Sequence, residues 1–400
     1  MLGLFGFVMA YWWLMIITSL VTGGVAAALA GAAPRLVGPE PRNLSALRTS
    51  MALTALSIVL AGIGVFVGTA YLFAYLFGMP LVASSVVLSA VAFTVILILF
   101  QWLISPYLIN ALYRTRPPRS DYEKRVEEAL REVARRSGIK TPKLRIAETS
   151  IPNAFSYGSP LAGSYVAVTR GLLDLMPFDE VRAVLGHEVG HLRHRDVSWI
   201  LALSVIPLAV YYLGQMLIWS GILGGWGGGE GERGGGQVSG GLILALVGMV
   251  LVAVSVLFRF LVGNFNRLRE YYADANSAMV TSPRLIQRAL ARLHLAVNNR
   301  YVKAQVNSTA GSMAKALFIV APFVEIHGGF LYEPGYGAWP WRRRGYNPAD
   351  YRDIDIDAEV ERIKQERTNP VEEIFATHPP IPKRLRFIDN IKYEINPAEP

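Results

Sequence analysis

Residues 49 to 113 contain no Asp, Glu, Lys or Arg. A soluble fold has to cover its exterior with polar groups, so a run of this kind does not belong to an ordinary soluble domain. Residues 1–34, 197–229 and 234–258 are uncharged as well. Each block has room for one or two helices of about 20 residues, the length that crosses a bilayer. Spans are therefore expected near 7–31, 51–77, 82–109, 197–221 and 239–262. The composition agrees, with 52% hydrophobic and only 17% charged residues. The fold class is a mainly α integral membrane protein with five transmembrane helices. The first segment lacks a basic leader, and its apolar run exceeds that of a cleavable signal, so it counts as a span.

Loop charges give an orientation. Arg35, Arg42 and Arg48 follow the first span, and Arg114, Arg116, Arg119 and Lys124 follow the third. The connection at Met79 and Pro80 is uncharged, and loop 222–238 carries Glu230, Glu232 and Arg233. Basic loops stay in the cytoplasm. Five spans then put the N-terminus outside and residues 114–196 and 263–400 inside. The net charge of +9 suits anionic lipid headgroups, which Arg342, Arg343 and Arg344 between aromatics would meet. No nucleic-acid motif accompanies the charge. With no cysteine, the chain has neither disulfides nor a thiolate metal site.

One motif stands apart from the membrane pattern. His187, Glu188, Val189, Gly190 and His191 put two of the six histidines four residues apart. On a helix they share a face one turn apart and can hold one zinc ion, with Glu188 beside the open coordination position as general base. Val181, Val184, Leu185 and Val189 recur at helical spacing around the motif. No histidine lies six residues beyond His191, where Val197 stands. Glu270 and Asp274, also four apart, offer a carboxylate ligand and an acceptor for a histidine's second N–H. The competing reading is a solvated charged face with Arg267 and Arg269. His194 reads as a polar residue at the membrane edge, and His294 as structural.

Between these features, residues 122–137 read as an amphipathic helix striped by Val126, Leu130 and Val133 and stopped at Gly138. Residues 143–148 and 164–169 read as strands, with a turn at Gly158, Ser159 and Pro160. The helix of His187 is expected to run into the fourth span unbroken until Pro207. The fifth span is expected to run into the helix of Glu270.

HEVGH followed by ExxxD, with spans between them, resembles the HtpX group of membrane zinc metalloproteases, which is distantly similar to the CAAX prenyl proteases. Residues 151–158 resemble that family's edge-strand segment, 166–173 its strand and turn before the zinc helix, and 377–384 its C-terminal THPP motif. The resemblance implies a zinc endopeptidase with one zinc per chain, bound by His187, His191 and Glu270. Its substrates would be membrane or unfolded proteins, in membrane protein quality control. It assigns oxyanion stabilisation to His378 and Arg384. Backbone pairing with an extended substrate falls to Asn153, Ala154, Phe155, Ser156 and Tyr157. The organisation expected is three spans (1–113), a cytoplasmic α+β peptidase part (114–196), two spans with a glycine-rich external loop (197–262) and a second cytoplasmic part (263–400). The chain differs from the usual pattern in its third N-terminal span, its glycine-rich insert at 224–241 and its long segment 330–370. A CAAX-type processing protease is the alternative within enzymes, but it resembles a seven-span chamber. A non-catalytic scaffold or transporter is the alternative outside them. Glu188 and Glu270 are both present, and the expected spans carry no acidic residue and a single charge, Arg259 near the end of the fifth, which is too little to mark an ion pathway.

Overall fold

The computed structural model describes residues 2–78, 80–150, 152–227, 240–298, 354–376 and 378–395. Most of the glycine-rich insert, Arg342 to Arg344, most of the segment 330–370 and Thr377 lie outside them. Among the described residues, five helices are long and apolar enough to cross a membrane. They are α1 (Leu2–Leu36), α2 (Leu44–Phe77), α3 (Pro80–Leu112), α7 (Asp196–Gly227) and α8 (Gly240–Val280). As the uncharged blocks predict, each of the first four encloses one expected span, and α8 covers the fifth from residue 240 on. The chain groups into two compact units, one from residues 1–37, 54–98 and 202–263, the other from 38–53, 99–201 and 264–400.

In the first unit α7 and α8 pack through small residues. A Cβ built on Gly248 would fall 2.5 Å from the Gly214 carbonyl oxygen, so no side chain fits between the helices there. Membrane helices gain little from the hydrophobic effect against one another, and close backbone approach supplies van der Waals contact instead.

The second unit holds a small mixed sheet and the remaining helices. The sheet comprises β1 (Lys143–Ala147), β2 (Ala154–Ser159) and β3 (Gly163–Thr169) in the order β1-β3-β2. β1 lies parallel to β3, pairing Leu144 with Val166 and Ile146 with Val168. β2 runs antiparallel on the other side, pairing Phe155 with Ala167 and Tyr157 with Tyr165. It continues through Ser159, so the turn falls at residues 160–162 and not at the expected Gly158 to Pro160. α4 (Asp121–Arg136) starts at a capping box, in which Ser120 and Glu123 satisfy each other's backbone N–H groups. Gly138 follows it at φ +72°, the left-handed stop the sequence predicts.

One core joins Val126, Leu130 and Val133 of α4 to Ile146 and Val168 of the sheet. It also takes in Val184 and Val189 of α6 (Phe178–Arg193), Ile286 and Leu290 of α9 (Pro283–Asn298), and Phe387 and Ile391 of α12 (Ile381–Ile395). A buried ion pair ties α6 to α9, since Arg292 donates to Glu180 at 2.6 and 3.0 Å.

Two helix boundaries decide where polar side chains meet. α8 is continuous from its apolar half into the segment bearing Glu270, as expected. α6 does not continue into α7, contrary to the unbroken helix that the sequence predicts. It ends at Arg193, and Arg195 turns the chain through φ +52° before α7 begins at Asp196. The break lets Asp196 lead a new helix, where an acidic side chain complements the positive end of the helix dipole.

Candidate metal centre

α6 supplies the histidines and α8 the carboxylates. The two helices approach closely because α6 presents Gly186 and Gly190 to α8. A Cβ on Gly190 would lie 2.9 Å from Ala273 Cα, and one on Gly186 would lie 3.1 Å from Ser277 Cα. Polar groups of α8 then reach α6 main chain. Asn276 Nδ2 donates to the Gly186 carbonyl at 2.8 Å, and Ser277 Oγ to the Ala183 carbonyl at 2.6 Å.

Three candidate ligand atoms converge. His187 Nε2 and His191 Nε2 are 3.1 Å apart, and each is 3.5 Å from an oxygen of Glu270. Ligands at about 2.1 Å from a tetrahedral zinc lie about 3.4 Å from one another, so the spacing and the N, N, O donor set fit that ion. Among the described residues these three form the one group of His, Cys, Asp and Glu able to hold a metal. Glu188 follows His187 directly. Its carboxylate is buried, and neither oxygen has a hydrogen-bond partner. A buried carboxylate without a donor is costly unless something outside the protein answers it, as a water or substrate at the site would.

Behind the ligands lies a layer of charge. His187 Nδ1 is 2.9 Å from Asp274 Oδ1. Burial disfavours a charged ring at His187, but Asp274 and Glu270 outweigh it and push its pKa up to about 9. A metal ion taken up at this site therefore competes with a proton. Arg384 clasps Asp274 with two hydrogen bonds, Nε to Oδ2 at 2.8 Å and Nη2 to Oδ1 at 2.6 Å. Its Nη1 stands 3.4 Å from Glu270 Oε2, and its side chain is 1% exposed. His378 Nδ1 contacts the same Glu270 oxygen at 2.9 Å, with 17% of its side chain exposed.

The structure thus gathers His187, His191, Glu270, Asp274, His378 and Arg384 in one place. It also separates the two residues expected at an oxyanion. His378 is partly open, whereas the Arg384 guanidinium is enclosed by the two carboxylates. Asn153 to Tyr157 lie on or beside β2, an edge strand of the sheet, which packs against α6. The side chains of Phe155 and Tyr157 are occupied in an aromatic cluster with Tyr165 and Ile109, and the strand's outward Ala154 N–H and Gly158 carbonyl are held by Asn153 Oδ1 and the Trp102 indole N–H.

Two residues were missed by sequence reasoning. Asp196 Oδ2 lies 2.6 Å from His191 Nδ1, giving the second histidine the same kind of carboxylate partner as the first. Arg269 Nη2 holds that oxygen at 2.7 Å and is buried, not part of a solvated face. The available signal was an Asp five residues past His191, which reaches back only because the helix breaks. His194 packs edge-on against Tyr272, and His294 pairs with Glu366 at 3.4 Å.

The model of peptidase family M48 matches residues 120–392. The chain belongs to peptidase family M48. A protease HtpX homologue of Aeropyrum pernix is 50% identical over 305 residues, covering 76% of this chain and 86% of its own length. One from Thermoplasma acidophilum is 35% identical over 347 residues, covering 84% and 96%. The crystal structure of S. mikatae Ste24p aligns with a TM-score of 0.46 at 16% identity, over 88% of this chain and 68% of that one. Family membership and the five apolar helices make this M48 chain a membrane metalloprotease.

Proposed function

We propose that the chain is a zinc-dependent endopeptidase acting on membrane or unfolded proteins in membrane quality control. His187, His191 and Glu270 would hold one zinc. The observation that carries this is the triangle of ligand atoms with the unpartnered Glu188 carboxylate next to it. When bound, zinc would lower the pKa of water to about 7 and polarise the scissile carbonyl. Glu188 takes a proton from the attacking water and returns it to the leaving amine as the C–N bond breaks. His378 offers an N–H to the oxyanion of the tetrahedral intermediate. Asp274 orients His187, and Arg384 acts through Asp274 and Glu270, without touching the substrate. The edge of β2, at Asn153 to Tyr157, pairs with the extended substrate. Residues 114–196 and 263–400 form the peptidase part on the cytoplasmic side, in keeping with the basic loops that flank it.

The test is metal analysis of the purified full chain together with cleavage of unfolded casein, with and without a chelator. About one zinc per chain and chelator-sensitive cleavage are expected. Glu188→Gln should retain the metal and abolish cleavage, because an amide cannot act as the base. Cleavage near the wild-type rate by that variant would refute the assignment.

A further inference from the structure

The β2–β3 hairpin differs in composition from the rest of the second unit. Residues 149–169 contain no charged side chain, although Glu148 and Arg170 flank them directly. Its tip, Pro160–Leu161–Ala162, leaves Leu161 72% exposed. An uncharged turn with an outward leucine is unusual on a surface facing water, where turns are polar.

The hairpin is fixed against α3, one of the candidate spans, at a definable level. Tyr157 Oη donates to Asn110 Oδ1 at 2.6 Å. Further along β2, the Trp102 indole N–H donates to the Gly158 carbonyl at 3.0 Å, and Ser159 Oγ lies 3.5 Å from the Leu103 carbonyl oxygen. The hairpin therefore climbs α3 from Asn110 to Leu103, about 10 Å at the helical rise. It climbs away from Arg114, the first charge after the span, and into the stretch Ser84–Leu112 that is apolar enough to cross a bilayer. At this level α3 itself exposes apolar side chains, with Phe100 62% and Tyr107 59% exposed, one turn to either side of Leu103. Trp102 and Tyr107 are the residue types that mark the boundary between lipid and water.

We propose that the hairpin tip is seated in the bilayer boundary, with Leu161 directed into lipid, so that β2 begins at the membrane surface. Given the proposed role of that strand's edge in substrate pairing, the preferred substrates are polypeptide segments that adjoin a membrane span. A segment paired along Ala154 to Tyr157, short of the Gly158 carbonyl that α3 already holds, would lie just inside the lipid boundary and extend about 13 Å along the strand. Soluble unfolded chains reach the same edge without this advantage in local concentration.

The chain has no cysteine, so one introduced thiol is a unique label site. Leu161→Cys, carrying an environment-sensitive fluorophore, is placed in the full-length protein in phosphatidylcholine–phosphatidylglycerol vesicles. Asp121→Cys at the exposed start of α4 serves as the aqueous control. Label at 161 should emit further to the blue, be quenched by lipids carrying a nitroxide near the headgroup, and resist iodide; label at 121 should do the opposite. This readout does not involve catalysis, so it stands or falls separately from the peptidase assignment. Equal iodide access at both positions, with no quenching by nitroxide lipids at 161, overturns the proposal. For the substrate preference, Leu161→Asp is assayed on one unstructured sequence, either soluble or fused to a single transmembrane helix. Cleavage of the fused form should fall about tenfold, the partitioning lost with one buried leucine, while the soluble form and the melting temperature stay unchanged. Equal effects on both forms, or none on either, overturn the preference.

Discussion

Replacing Arg384 with methionine should unsettle the metal centre without touching a ligand. The guanidinium makes two hydrogen bonds to Asp274 and a longer contact with Glu270, all out of solvent. Methionine keeps most of the volume and removes the cation, leaving the neighbouring histidines to answer two buried carboxylates. Breaking a buried pair in this way costs about 3–5 kcal/mol. In a unit of this size each kcal/mol shifts the melting temperature by roughly 2–4 °C, so a fall of about 10 °C is expected. The assay is thermal unfolding of the full chain in detergent, with metal content measured after dialysis. Adding Asp274→Leu to the methionine variant should recover much of the stability, since an apolar pair replaces the ionic one. It should not recover the metal, because His187 loses its orienting carboxylate, a loss of about 10–100-fold in affinity. His378→Ala serves as the contrast, with stability and metal content near normal and kcat reduced. An Arg384→Met protein with wild-type melting and full metal, but a depressed kcat, would place the guanidinium on the substrate and refute the reasoning.

Other perturbations probe the remaining contacts. Gly190→Ala puts a methyl 2.9 Å from Ala273 Cα; it should cost about 1–3 kcal/mol as overpacking and lower metal affinity together with stability, read by melting and metal titration. Asp196→Asn should weaken metal binding by about 10–100-fold, because it removes the carboxylate behind His191, and should also lower the melting temperature, because buried Arg269 loses its ionic partner; unchanged affinity would reduce Asp196 to a partner of Arg269. Hydrogen bonds from Arg116, opposed by burial and aided by the Arg119 and Ser120 amides, hold the Glu123 carboxyl down to about 2 from its ordinary 4.5. A carboxyl lowered on folding stabilises above its unfolded pKa, so this contribution should be complete above about pH 4.5 and lost as pH falls toward 2. Melting of Glu123→Gln should accordingly depend less on pH across that window than melting of the parent chain.

The spans were legible because charge is excluded from them so completely. The candidate ligand residues stood out in the sequence because their fourfold spacing has little other reason to occur twice. The strand edges were less so: β2 runs on past the glycine that read as its turn. What escaped notice depends on contacts distant in sequence. Arg269 reads as a surface charge until α7 brings Asp196 beside it. Asp196 reads as a membrane-edge acid until the chain turns at Arg195, a residue with no local preference for the left-handed conformation. Arg384 was recognised as part of the site, but its enclosure by Asp274 and Glu270 comes from where α12 packs against α8.

Gly186 and Gly190 have a consequence for how the centre responds to heat. The distance between the histidine-bearing helix and the carboxylate-bearing helix is set there with no side chain from α6, whose main chain meets Ala273 Cα and Ser277 Cα directly, beside Asn276 Cβ and Ser277 Oγ. Side chains that frame a site sample more rotamers as temperature rises, and the site widens with them. A contact made largely by backbone has few rotamers to sample. The gap that His187 and Glu270 share should therefore keep its dimensions until the helices themselves separate, and metal release on heating should coincide with unfolding instead of preceding it.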